Sequence, residues 1–190
     1  MVTRIQRSAR SPVILGLFAA VGVLAFVMNG TELPFSTPTI EDHSGGVRVL
    51  DMRFSYGPDE ANELFAALGA EGRDAYLMLH LVPDMLFPVA YSLLFACISA
   101  WFLMRLLPLD HPLQWLGVTP LVSGLADISE NLSLMALNRA YPSRMDWLAH
   151  LASALTTVKF GLMPIGVVLL CAMVVLWFAR GRPEPTAAPA

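Results

Sequence analysis

Residues 147–178 read WLAHLASALTTVKFGLMPIGVVLLCAMVVLWF, a run of 32 positions in which Lys159 is the only residue that must carry a charge. At ~1.5 Å rise per residue such a helix exceeds the ~30 Å of a bilayer's hydrocarbon. A cation inside it costs about 3 kcal/mol or more unless a partner is supplied. Lys159 is also the only lysine of the chain; the other eleven basic residues are arginines in tails, loops or at the ends of apolar runs. The stretch therefore asks for a bundle, in which other helices bring carboxylates to this cation.

Working outward, three further apolar runs reach or approach the ~20 residues needed to cross. Residues 113–137 carry Asp127, Glu130 and Asn131, residues 75–104 carry His80 and Asp84, and residues 12–28 carry no ionisable side chain. With 190 residues, 56% of them hydrophobic, and a mean hydropathy of +0.60, the chain is too apolar for an ordinary soluble domain. The expectation is an all-α membrane protein: a four-transmembrane-helix bundle with spans at 12–28, 75–104, 113–137 and 147–178. A long outer loop at 29–74 completes a single integral membrane domain over 1–182, and the Pro/Ala-rich tail at 183–190 is expected to be disordered. The ion-free first span is expected at the periphery, with Gly16 and Gly22 allowing close contact. Pro83, Pro88 and Pro164 are expected kinks whose freed carbonyls need local partners.

Charge and cysteine content remove several classes of function. A net charge of −3 with no basic face excludes nucleic acid as a partner and leaves the lipid bilayer. Cys97 and Cys171 form no C-x-x-C pair, which argues against thiol-exchange chemistry. Arg4, Arg7, Arg10, Arg105, Arg180 and Arg182 fall on one side of the expected spans, and Arg48, Arg53, Arg73, Arg139 and Arg144 on the other. Three of the latter belong to a long acidic loop, where the positive-inside rule counts least, so both termini are assigned to the cytoplasm. No small-x-small cleavage site follows the first apolar run, which reads as an uncleaved anchor. Abundant arginine and alanine fit a GC-rich bacterial genome and hence the inner membrane.

Within the loop, residues 46–54 alternate as a short strand would. Beyond them, Pro58 at a first helical position precedes Asp59 and Glu60, whose charges suit the helix dipole. Ala61, Leu64, Phe65 and Leu68 then share one face and Gly69 suits the end, giving a short amphipathic helix that is expected to lie on the membrane face or pack across the bundle mouth.

Depth and helical phase bring the buried polar residues together. Counted from the outer ends of their spans, Glu130 and Asn131 lie about 10 Å in, Asp84 about 13 Å, Asp127 about 15 Å and Lys159 about 18 Å. At ~100° per residue, Ser123, Asp127, Glu130 and Asn131 share a face, as do His80 and Asp84 with Phe87 and Tyr91. His150 lies nine residues before Lys159, on the opposite side of its helix. The candidate site is therefore His80, Asp84, Asp127, Glu130, Asn131 and Lys159. Lys159 neutralises one of three carboxylates, Asp127 being closest in depth. The other two can be compensated by protonation, by a His80 cation, by an arginine such as Arg53, Arg73 or Arg139 reaching in, or by a metal held on His80, Asp84 and Glu130.

Three functions are compatible with such a cluster. It can be interhelical glue in a structural, assembly or partner-binding membrane protein, alone or as a homo-oligomer, which requires the fewest assumptions. It can be the ion site of a small proton- or cation-coupled carrier, although four spans and no internal repeat leave little room for alternating access. It can also serve an embedded enzyme acting on a lipid or isoprenoid substrate, with an acid/base pair or metal ligands. No cofactor is assigned: His80 and His150 make a poor haem pair, four helices are too few for a retinal protein, and no zinc motif such as H-E-x-x-H is present.

Overall fold

The computed structural model describes residues 1–182 and 184; apart from residue 184, the tail expected to be disordered lies outside the described residues. Helices α1 (Val2–Ser8), α2 (Ser11–Asn29), α3 (Thr37–His43), α4 (Pro58–Leu81), α5 (Pro83–Leu106), α6 (Pro120–Ala140) and α7 (Asp146–Ala179) follow one another. Short 3-10 turns at Leu50–Met52 and Pro112–Val118 join some of them, and no strand occurs among the described residues. Three stretches are long and apolar enough to cross a membrane: α2, the continuous α4–α5 run and α7.

α6, on the third of the expected spans, is not among them. It has 21 residues, but Asp127, Glu130, Arg139 and its serines dilute its apolar character. Its start also differs from the expected 113: Pro112–Val118 winds as a 3-10 segment, and the α-helix begins at Pro120. Proline lacks the N–H that an interior helical position would use, so each proline sits in the first turn of its own segment. α6 packs along α7 and against α5, and Ser123, Asp127, Glu130, Asn131 and Leu134 on its inner face are buried.

α2 rests on α5 and buries only Met28. The close contact expected at Gly16 and Gly22 is absent, since a Cβ at either position would meet nothing within 4 Å. Close approach occurs instead between α5 and α6. A Cβ on Gly124 would lie 2.6 Å from Ser92 Oγ and 3.0 Å from the Pro88 carbonyl oxygen.

The amphipathic segment forms as its periodicity implies. Pro58 opens α4, the Gly57 N–H donates to Glu60 Oε2 at 2.7 Å, and Ala61, Leu64, Phe65 and Leu68 are all buried. This face joins Leu134, Leu137, Leu148 and Ala152 in the main apolar core, covering one end of α6 and α7. At Gly69 the backbone turns to φ 63°, ψ −171°, a region open almost only to glycine, and the chain re-enters helix at once. The expected strand at 46–54 does not form. An extended segment with no partner strand has no ladder to complete, and here Val49 and Leu50, adjacent in sequence, both enter the core around a 3-10 turn.

Prolines set the remaining breaks. Val82, at φ −120° and ψ −74°, separates α4 from α5, because the residue before a proline is disfavoured in helical geometry. Pro88 lies inside α5 and leaves the Asp84 carbonyl without its i+4 donor. The Asn131 side chain supplies the missing bond, its Nδ2 donating to the Asp84 oxygen at 2.6 Å.

Candidate functional site

Three helices converge on Lys159, which is 7% exposed. From α6, Glu130 Oε2 lies 2.7 Å and Asp127 Oδ1 3.2 Å from its ammonium, so one cation meets two carboxylates. Glu130 and Asp127 are three residues apart on one helix and reach the same point in space. Thr156, one turn before Lys159 on α7, donates to Glu130 Oε1 at 2.6 Å. From α5, the Tyr91 hydroxyl donates to Asp127 Oδ2 at 3.0 Å and stands 3.4 Å from Ser123 Oγ. Lys159 also donates to the backbone oxygen of Asp51 at 3.4 Å.

Asp51 brings the connecting segment 29–74 into the site. Its carboxylate accepts a hydrogen bond from Tyr76 at 3.1 Å and lies 3.7 Å from His80 Nε2. Asp84 Oδ2 lies 3.7 Å from the same nitrogen. The ligand atoms of Asp51, His80 and Asp84 fall within 4.8 Å of one another, the spacing of a possible metal centre. Nearby, burial and the charge of Glu130 hold the Tyr56 phenol above its ordinary pKa, so this hydroxyl stays neutral.

The six residues singled out from sequence thus fall into two adjoining groups. Lys159, Asp127 and Glu130 form one; His80 and Asp84 form the other with Asp51, and Asn131 ties α6 to α5 between them. Glu130 is engaged by Lys159 and Thr156 and stands outside the group around His80. His150 is exposed, as its phase implies. Arg53 pairs with Glu60, and Arg73 donates to the Phe65 carbonyl and lies over Tyr141.

Sequence carries a weak signal for Thr156, one turn from Lys159, and for Tyr91, on the face of Asp84. It carries none for Asp51, which sits in the stretch whose alternation implied a strand. Beside the first group, a cavity of ≈ 210 Å³ opens between α5, α6, α7 and the Pro112–Val118 turn. Its lining residues are mostly apolar and include Tyr91 and Ser123, whose hydroxyls lie next to Asp127. No protein-family model, curated protein or solved structure matches the chain.

Proposed function

We propose that this is an inner-membrane protein of four helical spans, with both termini in the cytoplasm, that binds an apolar molecule of the lipid or isoprenoid class. Tyr91, held on Asp127 beside Lys159, meets the polar end of that molecule. The observation that carries this reading is the cavity lined by Tyr91 and Ser123, whose hydroxyls lie beside Asp127. An engineered cavity of about 150 Å³ already admits a benzene-sized molecule. One of ≈ 210 Å³ takes a length of hydrocarbon chain rather than a whole lipid.

The direction of the hydrogen bonds selects the head group. Because Tyr91 donates its proton to Asp127, the phenol oxygen acts as an acceptor, with room for a bound hydroxyl beside its 3.4 Å contact to Ser123. An alcohol satisfies it. The alcohol donates to the Tyr91 oxygen, Tyr91 donates to Asp127, and Lys159 balances the Asp127 charge, so the chain of bonds holds a lipid or isoprenoid alcohol by its head group. α6 acts as the fourth span in this reading, because Asp127 and Glu130 face the bundle, Arg139 lies at the helix end, and its outward Val122, Leu125 and Leu132 face lipid.

The test is photolabelling of the purified protein with a diazirine-bearing long-chain alcohol, followed by mapping of the modified residues. Labelling is expected at the cavity wall around Tyr91 and residues 162–169. Gly166→Leu, at a position where a Cβ meets nothing within 4 Å, should fill the space and reduce labelling at least fivefold without unfolding the protein. Tyr91→Phe should abolish the preference for the alcohol over the matching alkane.

A second reading is favoured by the closure of the ion network. Lys159 finds both of its carboxylates within its own chain, which supports a structural role tying α7 to α6 in an assembly or partner-binding protein. Under that reading labelling is confined to lipid-facing surfaces and Gly166→Leu leaves it unchanged.

A further inference from the structure

We infer that Asp51, His80 and Asp84 form a binding site for a divalent transition-metal ion of the zinc class. His80 decides the matter. Its Nδ1 lies 2.8 Å from the Tyr76 carbonyl oxygen, an acceptor only, so the proton of a neutral imidazole sits on Nδ1 and the lone pair on Nε2. That Nε2 is buried with no hydrogen-bond partner, and the side chain is 1% exposed. It points between two carboxylate oxygens, each 3.7 Å away, so three lone-pair donors face one small space.

A buried acceptor aimed at two acceptors is unfavourable unless a proton on Nε2 or a bound cation lies among them. The two spacings from Nε2 are compatible with a bound cation. Two atoms each ~2.1 Å from an ion stand about 3.0 Å apart at a right angle and about 3.7 Å apart near 124°, spanning the angles of open three-ligand zinc sites. The donor set, one imidazole and two carboxylates, matches a dication in charge and suits zinc or manganese in kind.

The surroundings also have the features that support metal ligands. The Tyr76 carbonyl fixes the ring's tautomer and the Tyr76 hydroxyl holds Asp51, so one residue orients two ligands. The ligands come from three backbone contexts: the 3-10 turn, the last turn of α4 and the first turn of α5. An ion would therefore pin the segment 29–74 to the helix break at Val82. Asp51 is also the residue whose carbonyl touches Lys159, so this pin and the ion network share a residue. The inference rests on His80 and its neighbours and not on the ligand reading of the cavity.

The full-length protein, purified in detergent and stripped with EDTA, is titrated with zinc alone and desalted, and bound metal is measured by elemental analysis. Cobalt is used in parallel for its visible absorption. One equivalent of zinc per chain is expected, together with a rise in thermal midpoint and a cobalt spectrum of low-coordinate nitrogen and oxygen ligation. His80→Gln and Asp51→Asn should each weaken binding at least tenfold and remove the thermal shift. Asp51→Asn alters a partly exposed loop residue, so it remains informative if His80→Gln misfolds. Less than a fifth of an equivalent bound to the wild type would overturn the inference and leave a doubly protonated His80 between the carboxylates. Binding that survives in a folded Asp51→Asn protein would equally overturn it, placing the metal elsewhere.

Discussion

Replacing Asn131 with leucine should cost more when Pro88 is present than when it is absent. Pro88 has no N–H, so the Asp84 carbonyl depends on Asn131 Nδ2 at 2.6 Å for its bond. Leaving a buried carbonyl unpaired costs about 1–3 kcal/mol. Leucine also removes Asn131 Oδ1, itself buried without a partner, and this offsets part of that cost. The single variant therefore mixes two opposed effects, and the coupling between positions is the cleaner quantity. In Pro88→Ala the restored N–H at position 88 can bond the Asp84 carbonyl in the ordinary i to i−4 way. Asn131→Leu then orphans nothing there. Packing lost with the buried proline ring appears in both legs of the cycle and cancels. Interhelical hydrogen bonds in membrane bundles average about 0.6 and reach about 1.7 kcal/mol. A short bond to an otherwise unpaired carbonyl belongs near the top of that range, so a coupling of about 1 kcal/mol is expected. Equilibrium unfolding of the four proteins in mixed micelles, followed by circular dichroism, measures it. Costs that add to within about 0.3 kcal/mol would refute the account of Asn131 as a proline's substitute donor.

Three further outcomes follow from glycine positions. Gly124→Ala should destabilise by about 1–3 kcal/mol, because the new methyl meets Ser92 and the Pro88 carbonyl. Gly16→Ala should stay within about 0.5 kcal/mol, its Cβ facing open space; the same unfolding assay compares them. Gly69→Ala should cost about 1–3 kcal/mol through backbone strain at φ 63°, ψ −171°, read as a lower thermal midpoint with helix content nearly unchanged.

Much of the polar site was legible because helical geometry is local. Asp127 and Glu130 are three residues apart, so they must share a face whatever the rest of the chain does, and a buried lysine must find them or their equivalents. The same argument removed His150 and marked Pro88 as freeing a carbonyl that needs a partner; that the partner is Asn131 of another helix was not legible. Small-residue contacts were less legible: Gly16, Gly22 and Gly124 look alike in sequence, and only the packing of α5 on α6 distinguishes the third. The alternation at 46–54 misled because period-two burial implies a strand only where a second strand can pair with it.

By itself the sequence determined that the long apolar stretches are helical, that the second is interrupted at Pro83, and that Lys159 requires carboxylates. Composition and periodicity act over a few turns, and these properties depend on nothing longer. The tertiary structure alone decided that Lys159 binds both Asp127 and Glu130, and that a loop aspartate, Asp51, faces His80 and Asp84. Asp51 and His80 are 29 residues apart with a helix between them, and their meeting depends on how the segment folds back over the bundle's end. That return is driven by burial of Val49, Leu50, Leu64 and Phe65 in the shared core, a collective property that no local pattern encodes.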